Sequence, residues 1–200
     1  MKCTLTSRGL FVIGRVLAPN PTSFLLARKS ISPRRRRFCT RSEMDAESYT
    51  FGPYKIDRSE VFYSTPLSYA MVNIRPVLPG HVLVCSRREV KRYVDLSADE
   101  ISDLWLTAKE VGGRLEKYHN ASSLTLNIQD GPQAGQTVPH VHIHIIPRKE
   151  GDFEKNDEIY DALDGKEKEL KEKLDLDIER TDRTIEERAH EADEYRALFS

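Results

Sequence analysis

After residue 47, apolar residues cluster over short distances, which is typical of β-strands rather than long helices. The apolar segments are brief and are bounded by Pro, Gly and Ser, the residues that favour turns. We therefore expect strands in residues 49–56, with an interruption at Pro53, and in residues 61–64, 68–75 and 81–85.

A helical period replaces the strand pattern after residue 96. Ser97 and Glu100 have the spacing of a capping box, in which the two side chains satisfy backbone N–H groups at the start of a helix. Residues 122–129 alternate again and predict a further strand. Within the helix, apolar residues recur at helical spacing and predict a face packed in the core: Ile101, Leu104, Trp105, Ala108, Val111 and Leu115.

The most regular alternation lies in residues 139–147, where His140, His142 and His144 alternate with Val and Ile. A period of two predicts a strand, with the three imidazoles on one face and the aliphatic side chains in the core. We expect this strand to end at Pro147. Because each imidazole can act as nucleophile, acid, base or metal ligand, the row is a candidate active site.

The composition changes after the histidine row. Residues 157–163 predict a short helix, and the charged residues 164–200 predict a helix with a solvated face or a partly ordered tail. About five strands and one main helix, without repeated βαβ units, predict an α+β domain with an antiparallel sheet. We place this domain in residues 48–163.

The net charge of −1 hides a basic N-terminal end. Residues 1–42 contain ten Lys and Arg but no Asp or Glu, and they are rich in Ser and Thr. This composition is typical of an organelle transit peptide, and a disordered basic tail is the alternative. We therefore exclude residues 1–47 from the fold. A transit peptide predicts location in a mitochondrion or plastid, and its absence predicts a cytoplasmic or nuclear location.

Several classes of protein are disfavoured by the composition. No apolar run reaches the length of a membrane span, so we expect no membrane insertion. The arginines at 34–37 have no interleaved aromatic residues that could stack on bases, so we expect no nucleic-acid partner. Cys3, Cys39 and Cys85 are odd in number and far apart, which predicts neither a disulfide framework nor a zinc–thiolate site.

Three interpretations of the histidine row remain open on the residues alone. The row could be a polar strand face, a zinc site with His81 as a further ligand, or a site for covalent catalysis at phosphorus. Against zinc, the strand contains no carboxylate or cysteine, and its outer histidines lie roughly 13 Å apart if it is straight. The loop at 135–138 favours phosphorus modestly, since Gly135 allows its backbone amides to approach an anion.

Residues 140–146 resemble the signature of the histidine triad family, which is His-x-His-x-His followed by two apolar residues. Residues 78–85, 123–138, 147–153 and 156–160 are similar to the fragile histidine triad branch of that family. The resemblance covers roughly residues 51–163. It implies a HIT-like fold and a homodimer whose sheets join edge to edge.

The resemblance implies a hydrolase that cleaves diadenosine triphosphate to AMP and ADP. His142 matches the nucleophile, which would attack the α-phosphorus and form a nucleotidyl-histidine that water then hydrolyses. His144 matches a residue that hydrogen-bonds the phosphate oxygens, whereas His140 and His81 match polar groups that orient the nucleophile. A histidine at the last triad position favours hydrolysis, because related nucleotidyltransferases for hexose phosphates carry glutamine there.

The resemblance also implies the substrate contacts. Asn73 matches a ribose contact, Arg148 matches a position near the polyphosphate, and the remaining matches are Gln129, Gly135, Gln136, Thr137 and Val138. One position departs from the family: relatives carry Phe-Gly-Gln-His, whereas this chain has Tyr54 in place of the histidine. Tyr54 could touch substrate through its ring or hydroxyl, but the histidine contact itself does not carry over.

The expected cofactor is a magnesium or manganese ion on the substrate phosphates, with no metal held in a protein cage and no tightly bound organic cofactor. Two alternatives to the triphosphatase remain. The enzyme could hydrolyse other nucleotidyl donors, such as adenylyl sulfate or nucleoside phosphoramidates. The protein could also be a nucleotide-binding signalling module in which slow hydrolysis clears the ligand.

Overall fold

The computed structural model describes residues 48–165 and 183–200. The predicted N-terminal extension, residues 1–47, lies outside the described residues, as do residues 166–182. None of the described helices is long and apolar enough to cross a membrane.

Antiparallel strands form the centre of the fold. A short hairpin, β1 (Tyr49–Phe51) and β2 (Tyr54–Ile56), precedes the main sheet. The strands of the main sheet are β3 (Val61–Ser64), β4 (Ser68–Val72), β5 (Val82–Ser86), β6 (Ser123–Asn127) and β7 (His142–Arg148). These five antiparallel strands lie in the order β3-β4-β5-β7-β6. The α+β prediction with about five strands is therefore confirmed.

The end of β4 departs from the prediction of a strand through residue 75. The strand ends at Val72, and the Oδ1 atom of Asn73 accepts a hydrogen bond of 2.9 Å from the backbone N–H of Arg75. An Asn side chain bonded to the backbone two residues later mimics a turn. The chain therefore leaves the sheet at Asn73, and this side chain is fixed beside the histidines.

The main helix, α1 (Ala98–Tyr118), begins with the predicted capping box between Ser97 and Glu100. The prediction that Trp105 lies in the core is wrong, since 38% of its surface is exposed and its Nε1–H donates to the hydroxyl of Tyr93. At 100° per residue, position 105 lies about 90° around the helix from the middle of the buried face. The fully buried members of that face are Leu104, Ala108, Val111 and Leu115.

The two faces of β7 have different partners. Ile143 and Ile145 belong to the core cluster that also contains the buried residues of α1.

The prediction that β7 ends at Pro147 is wrong, because the strand continues to Arg148. Pairing with β5 stops at Ile145, whereas Pro147 pairs with Leu124 of β6. With a partner strand on one side only, a proline is tolerated there.

The C-terminal part of the chain includes a helix that packs on the domain. Helix α2 (Ile185–Ala197) contacts β3, β4 and the 3₁₀ turn Arg58–Glu60. Its side chains Ala192 and Tyr195 are buried in the α1-side core. The sequence predicts a charged helix or tail in this region, and the structure shows a helix whose inner face packs against the core of the domain. Residues 158–165 are also helical, at the place where a short helix was predicted.

The capping box yields a test of helix stability. The Ser97 hydroxyl accepts from the N–H of Glu100 at 3.3 Å, so Ser97→Ala leaves that donor without its partner. We expect the free energy of unfolding to fall by about 1 kcal/mol. Urea unfolding followed by circular dichroism measures this change. Ser97→Asp, which restores an acceptor, should stay close to wild type, and an equal loss in both variants would contradict the capping role.

Candidate active site

The four predicted histidines converge on the face of the sheet opposite α1. In the strand register His142 stands opposite Cys85 and His144 stands opposite Leu83 of β5. His81 immediately precedes β5, and all four imidazoles are at most 1% exposed. His140 lies before the start of β7, so the prediction that one strand carries the whole row is wrong.

Hydrogen bonds determine which ring nitrogen carries the proton in His81 and in His144. The backbone N–H of Val77 donates to Nδ1 of His81 at 3.1 Å, so a neutral His81 carries its proton on Nε2. That Nε2–H faces Nδ1 of His144 at 3.0 Å and donates to it. The proton of a neutral His144 is therefore on Nε2.

The chain of hydrogen bonds ends on His142. The Nε2–H of His144 points at Nε2 of His142, 3.1 Å away. On the other side of the ring, Nδ1–H of His142 donates to the backbone carbonyl of His140 at 2.7 Å. A neutral His142 thus has its proton on Nδ1, and the lone pair on its Nε2 accepts the bond from His144. A nucleophile or a proton acceptor requires this state.

His140 acts on His142 through its backbone and not through its ring. The ring accepts the N–H of Gly52 on Nδ1 at 3.0 Å, and its Nε2–H donates to the carbonyl of Ser86 at 2.6 Å. These bonds tie the β1–β2 hairpin and the end of β5 to the site. The ring of Phe51 in the same hairpin packs edge-on against His142, with 4.9 Å between ring centroids.

Burial lowers the pKa of three of the imidazoles, those of His81, His140 and His144. Desolvation, aided by the nearby His142, lowers the pKa of His81 to about 3. The same two causes hold the pKa of His144 well below its usual range. Desolvation also lowers the pKa of His140, partly offset by its bond to Ser86. Neutral rings agree with the single-proton assignments above.

A cavity of about 610 Å³ lies beside the histidines, a size suited to a nucleoside. Three of its lining residues come from the site itself, since Phe51 touches His142, Asn73 lies 3.2 Å from Nε2 of His81, and Val138 precedes the triad. Tyr54 also lines it, so the residue that replaces the family histidine faces the same cavity.

The loop before the triad is held by its own polar groups. Gly135 has φ of +88°, and a Cβ there would lie 2.6 Å from Nε2 of Gln129, so the position requires glycine. The Gln129 amide donates to Asp164 at 2.7 Å. Gln136 accepts from Gly131 and donates to the carbonyl of Lys91. The side chain of Gln136 therefore braces the loop, and Thr137 beside it is half-buried.

Arg148 is engaged elsewhere. Its guanidinium makes a two-pronged contact with Asp152, at 2.6 and 2.9 Å, and a further bond to the hydroxyl of Thr125. The hydrogen bond from Arg148 lowers the pKa of Asp152 to about 2. With its charge neutralised by this neighbour, Arg148 is a brace between β7 and the following turn.

Several contacts of the site could not be read from the motif. Val77 and Gly52 supply the backbone N–H groups that set two tautomers, and Asp164 holds Gln129 across 35 residues of sequence. Within residues 48–165 and 183–200, no group of three or more His, Cys, Asp or Glu side chains is arranged to hold a metal ion.

Comparison with known proteins identifies relatives of this arrangement. A family model described as the HIT domain matches residues 55–151. The chain is 77% identical over 152 residues to the bifunctional bis(5'-adenosyl)-triphosphatase/adenylylsulfatase FHIT of Arabidopsis thaliana, covering 76% of this chain and 84% of the relative. It is 49% identical over 149 residues to the bis(5'-adenosyl)-triphosphatase of Dictyostelium discoideum, covering 74% and 91%.

A solved structure shares the fold. The crystal structure of the C. elegans NitFhit protein superposes with a TM-score of 0.61 at 41% identity. The matched region covers 76% of this chain and 30% of that longer protein.

The lowered pKa values predict how stability depends on pH. The unfolded chain binds protons on histidine below about pH 6.5, whereas folded His81 stays neutral down to about pH 3. The contribution of His81 to stability is therefore complete above about pH 7 and falls as the pH is lowered, by about 2 kcal/mol between roughly pH 7 and pH 5.

Urea unfolding at several pH values measures the slope of the free energy of unfolding against pH. Replacing His144 with Asn removes one of the titrating groups and should flatten the slope. A wild-type free energy of unfolding that stays constant across this range would contradict the neutral, buried assignment.

Proposed function

The chain belongs to the histidine triad family, to its fragile histidine triad branch, and on that premise we propose that it hydrolyses diadenosine triphosphate to AMP and ADP. The observation that carries the proposal is the unprotonated Nε2 of His142, aligned by a directed chain of hydrogen bonds beside a nucleoside-sized cavity. The named activities of the two curated relatives support the same reaction.

The first half of the proposed reaction uses the lone pair on Nε2 of His142. It forms a bond to the α-phosphorus, and the bond from that phosphorus to the bridging oxygen breaks to release ADP. Positive charge develops on the ring during this step. The carbonyl of His140, which accepts Nδ1–H at 2.7 Å, stabilises that charge and keeps the ring in position.

His144 would change partners in this step. In the free protein its Nε2–H donates to Nε2 of His142. Once that nitrogen bonds to phosphorus, the same N–H is free to donate to a non-bridging phosphate oxygen. His81 holds His144 in the required tautomer, which makes it a positioning residue. In the second half, water attacks the phosphorus, the bond to Nε2 breaks, and AMP leaves.

Adenylyl sulfate is a second candidate substrate. The relative that is 77% identical to this chain carries adenylylsulfatase in its name. The chemistry on the protein side would be the same, since only the leaving group differs, with sulfate in place of ADP. Comparing kcat/KM for the two donors with one preparation of enzyme decides between them, and a preference for adenylyl sulfate would reverse the proposed order.

The covalent intermediate has a direct test. Acid quenching during turnover of labelled diadenosine triphosphate should trap adenylate on Nε2 of His142, found by peptide mapping. His142→Asn should lower kcat by several orders of magnitude while AMP still binds, because it removes the nucleophile and leaves the cavity intact.

Label on another residue would overturn the assignment. A biological readout that survives in His142→Asn would favour the signalling module over the hydrolase.

A divalent cation, magnesium or manganese, would bind the phosphates of the substrate and neutralise their charge. Chelation should slow turnover, and added magnesium should restore it. Complete loss of activity that only zinc restores would support a zinc hydrolase instead.

The protein would act as a homodimer. Strand β6 lies at an edge of the sheet, and Leu126 on it is 41% exposed. Pairing of two such edges would satisfy their backbone groups. Sedimentation velocity would show whether the chain is dimeric at micromolar concentration.

Residues 1–47 would direct import into a mitochondrion or plastid. Fluorescent fusions with and without these residues distinguish import from a cytoplasmic or nuclear location.

A further inference from the structure

The cavity beside the histidines extends away from the site of phosphate chemistry. On the face of the sheet that carries the triad, the strand register places His144, Leu83, Met71 and Val61 side by side across four strands. At about 4.8 Å per strand, this row spans roughly 14 Å. Leu83 and Met71 line the cavity, so its floor leads from the triad towards the residues next to Val61.

The far end of the cavity is bounded by an ion pair. Glu60, which precedes Val61, meets Arg188 of helix α2 with 3.0 Å between Oε2 and Nε. Both residues line the cavity, and only 8% and 7% of their surfaces are exposed. Ile185, one turn earlier on α2, lines it as well. The C-terminal helix therefore forms part of the cavity wall.

The pair leaves hydrogen-bonding capacity unused. Within the described parts of the chain, the buried Nε–H of Arg188 has no aligned acceptor, although it lies close to Glu60. Burial raises the pKa of the Glu60 carboxyl, and the neighbouring Arg188 offsets this only in part. A buried ion pair adds little net stability, because desolvation opposes the attraction. Because the pair lies in the wall of a cavity, a role in ligand binding explains it better than a role in stability.

The direction in which a nucleotide must lie follows from the chemistry. Its α-phosphorus has to reach Nε2 of His142, and Phe51, Asn73 and Val138 lie at that end of the cavity. The base then lies over the apolar floor and points towards Glu60 and Arg188. Adenine presents an exocyclic amine beside a ring nitrogen, a donor next to an acceptor. A carboxylate next to a guanidinium is the complementary arrangement.

We propose that Glu60 and Arg188 recognise the edge of the adenine base, with Glu60 accepting from its amine and Arg188 donating to a ring nitrogen. This inference rests on the function proposed above, and it assigns the base preference of that site to the turn Arg58–Glu60 together with the C-terminal helix. Hypoxanthine has a carbonyl in place of the amine, so it places an acceptor against Glu60.

Calorimetric titration of the full-length protein with AMP and with IMP tests the assignment. The wild type should bind AMP about tenfold more tightly than IMP. Glu60→Gln should narrow this ratio, because the amide can donate to the carbonyl of IMP. Arg188→Met should weaken AMP binding about tenfold, and Arg188→Lys should retain part of the affinity.

A matched control separates recognition from docking of the helix. Arg196 also anchors α2 to the same region, through the carbonyls of Val61 and Ser59, but it does not line the cavity. Arg196→Met should therefore leave the AMP-to-IMP ratio unchanged even if it lowers the melting temperature.

The outcomes distinguish this inference from the proposed reaction. If Glu60→Gln leaves the ratio and Arg188→Met leaves the affinity for AMP at the wild-type value, the pair only docks the helix and the inference is wrong. If the ratio changes as expected but diadenosine triphosphate is not hydrolysed, base recognition stands and the proposed function fails.

Discussion

The site depends on the hydrogen bond from Nδ1–H of His142 to the carbonyl of His140. This bond sets which nitrogen of His142 carries the proton, and the other nitrogen must then accept from His144. The two residues are two positions apart, but His140 lies in the turn before β7 and His142 is the first residue of the strand. The place where the strand begins therefore decides which ring nitrogen of a neutral His142 carries the proton.

Burial of four imidazoles is tolerated because each ring nitrogen has a partner. The bonds run from Val77 through His81 and His144 to His142, and separately from Gly52 through His140 to Ser86. An unpaired buried polar group is costly, so removing one partner exposes the rest of the chain of bonds to rearrangement. Desolvation lowers the pKa of His81, His140 and His144, which favours the neutral form that the single-proton bonds of these three rings require.

Sequence patterns predicted the parts of the fold that depend on near neighbours. Short spacings along the chain predicted the capping box of α1 and the strand at 61–64. They also predicted that His142 and Ile143 lie on opposite faces of their strand. The patterns failed at Pro147 and Trp105, where the outcome depends on which strand or helix lies alongside.

The residues of the candidate site also fall into those that the sequence predicted and those that it did not. A short motif placed the histidines, but the contacts of Val77 with His81 and of Asp164 with Gln129 come from segments with no sequence signal of their own. The packing of α2 on the domain was also not predicted from the sequence. Its exposed side is highly charged, and only Arg188, Ala192 and Tyr195 are buried within it.

The two ends of the cavity have different origins in the chain. The end beside the triad is lined by Phe51, Asn73 and Val138, which lie next to the hydrogen-bonded histidines. The opposite end combines the turn Arg58–Glu60 with the start of α2, about 130 residues later. A substitution there alters the cavity wall without touching the bonds that set the tautomer of His142. If the base is recognised at this end, its preference can change by substitution there without altering the chemistry proposed at phosphorus.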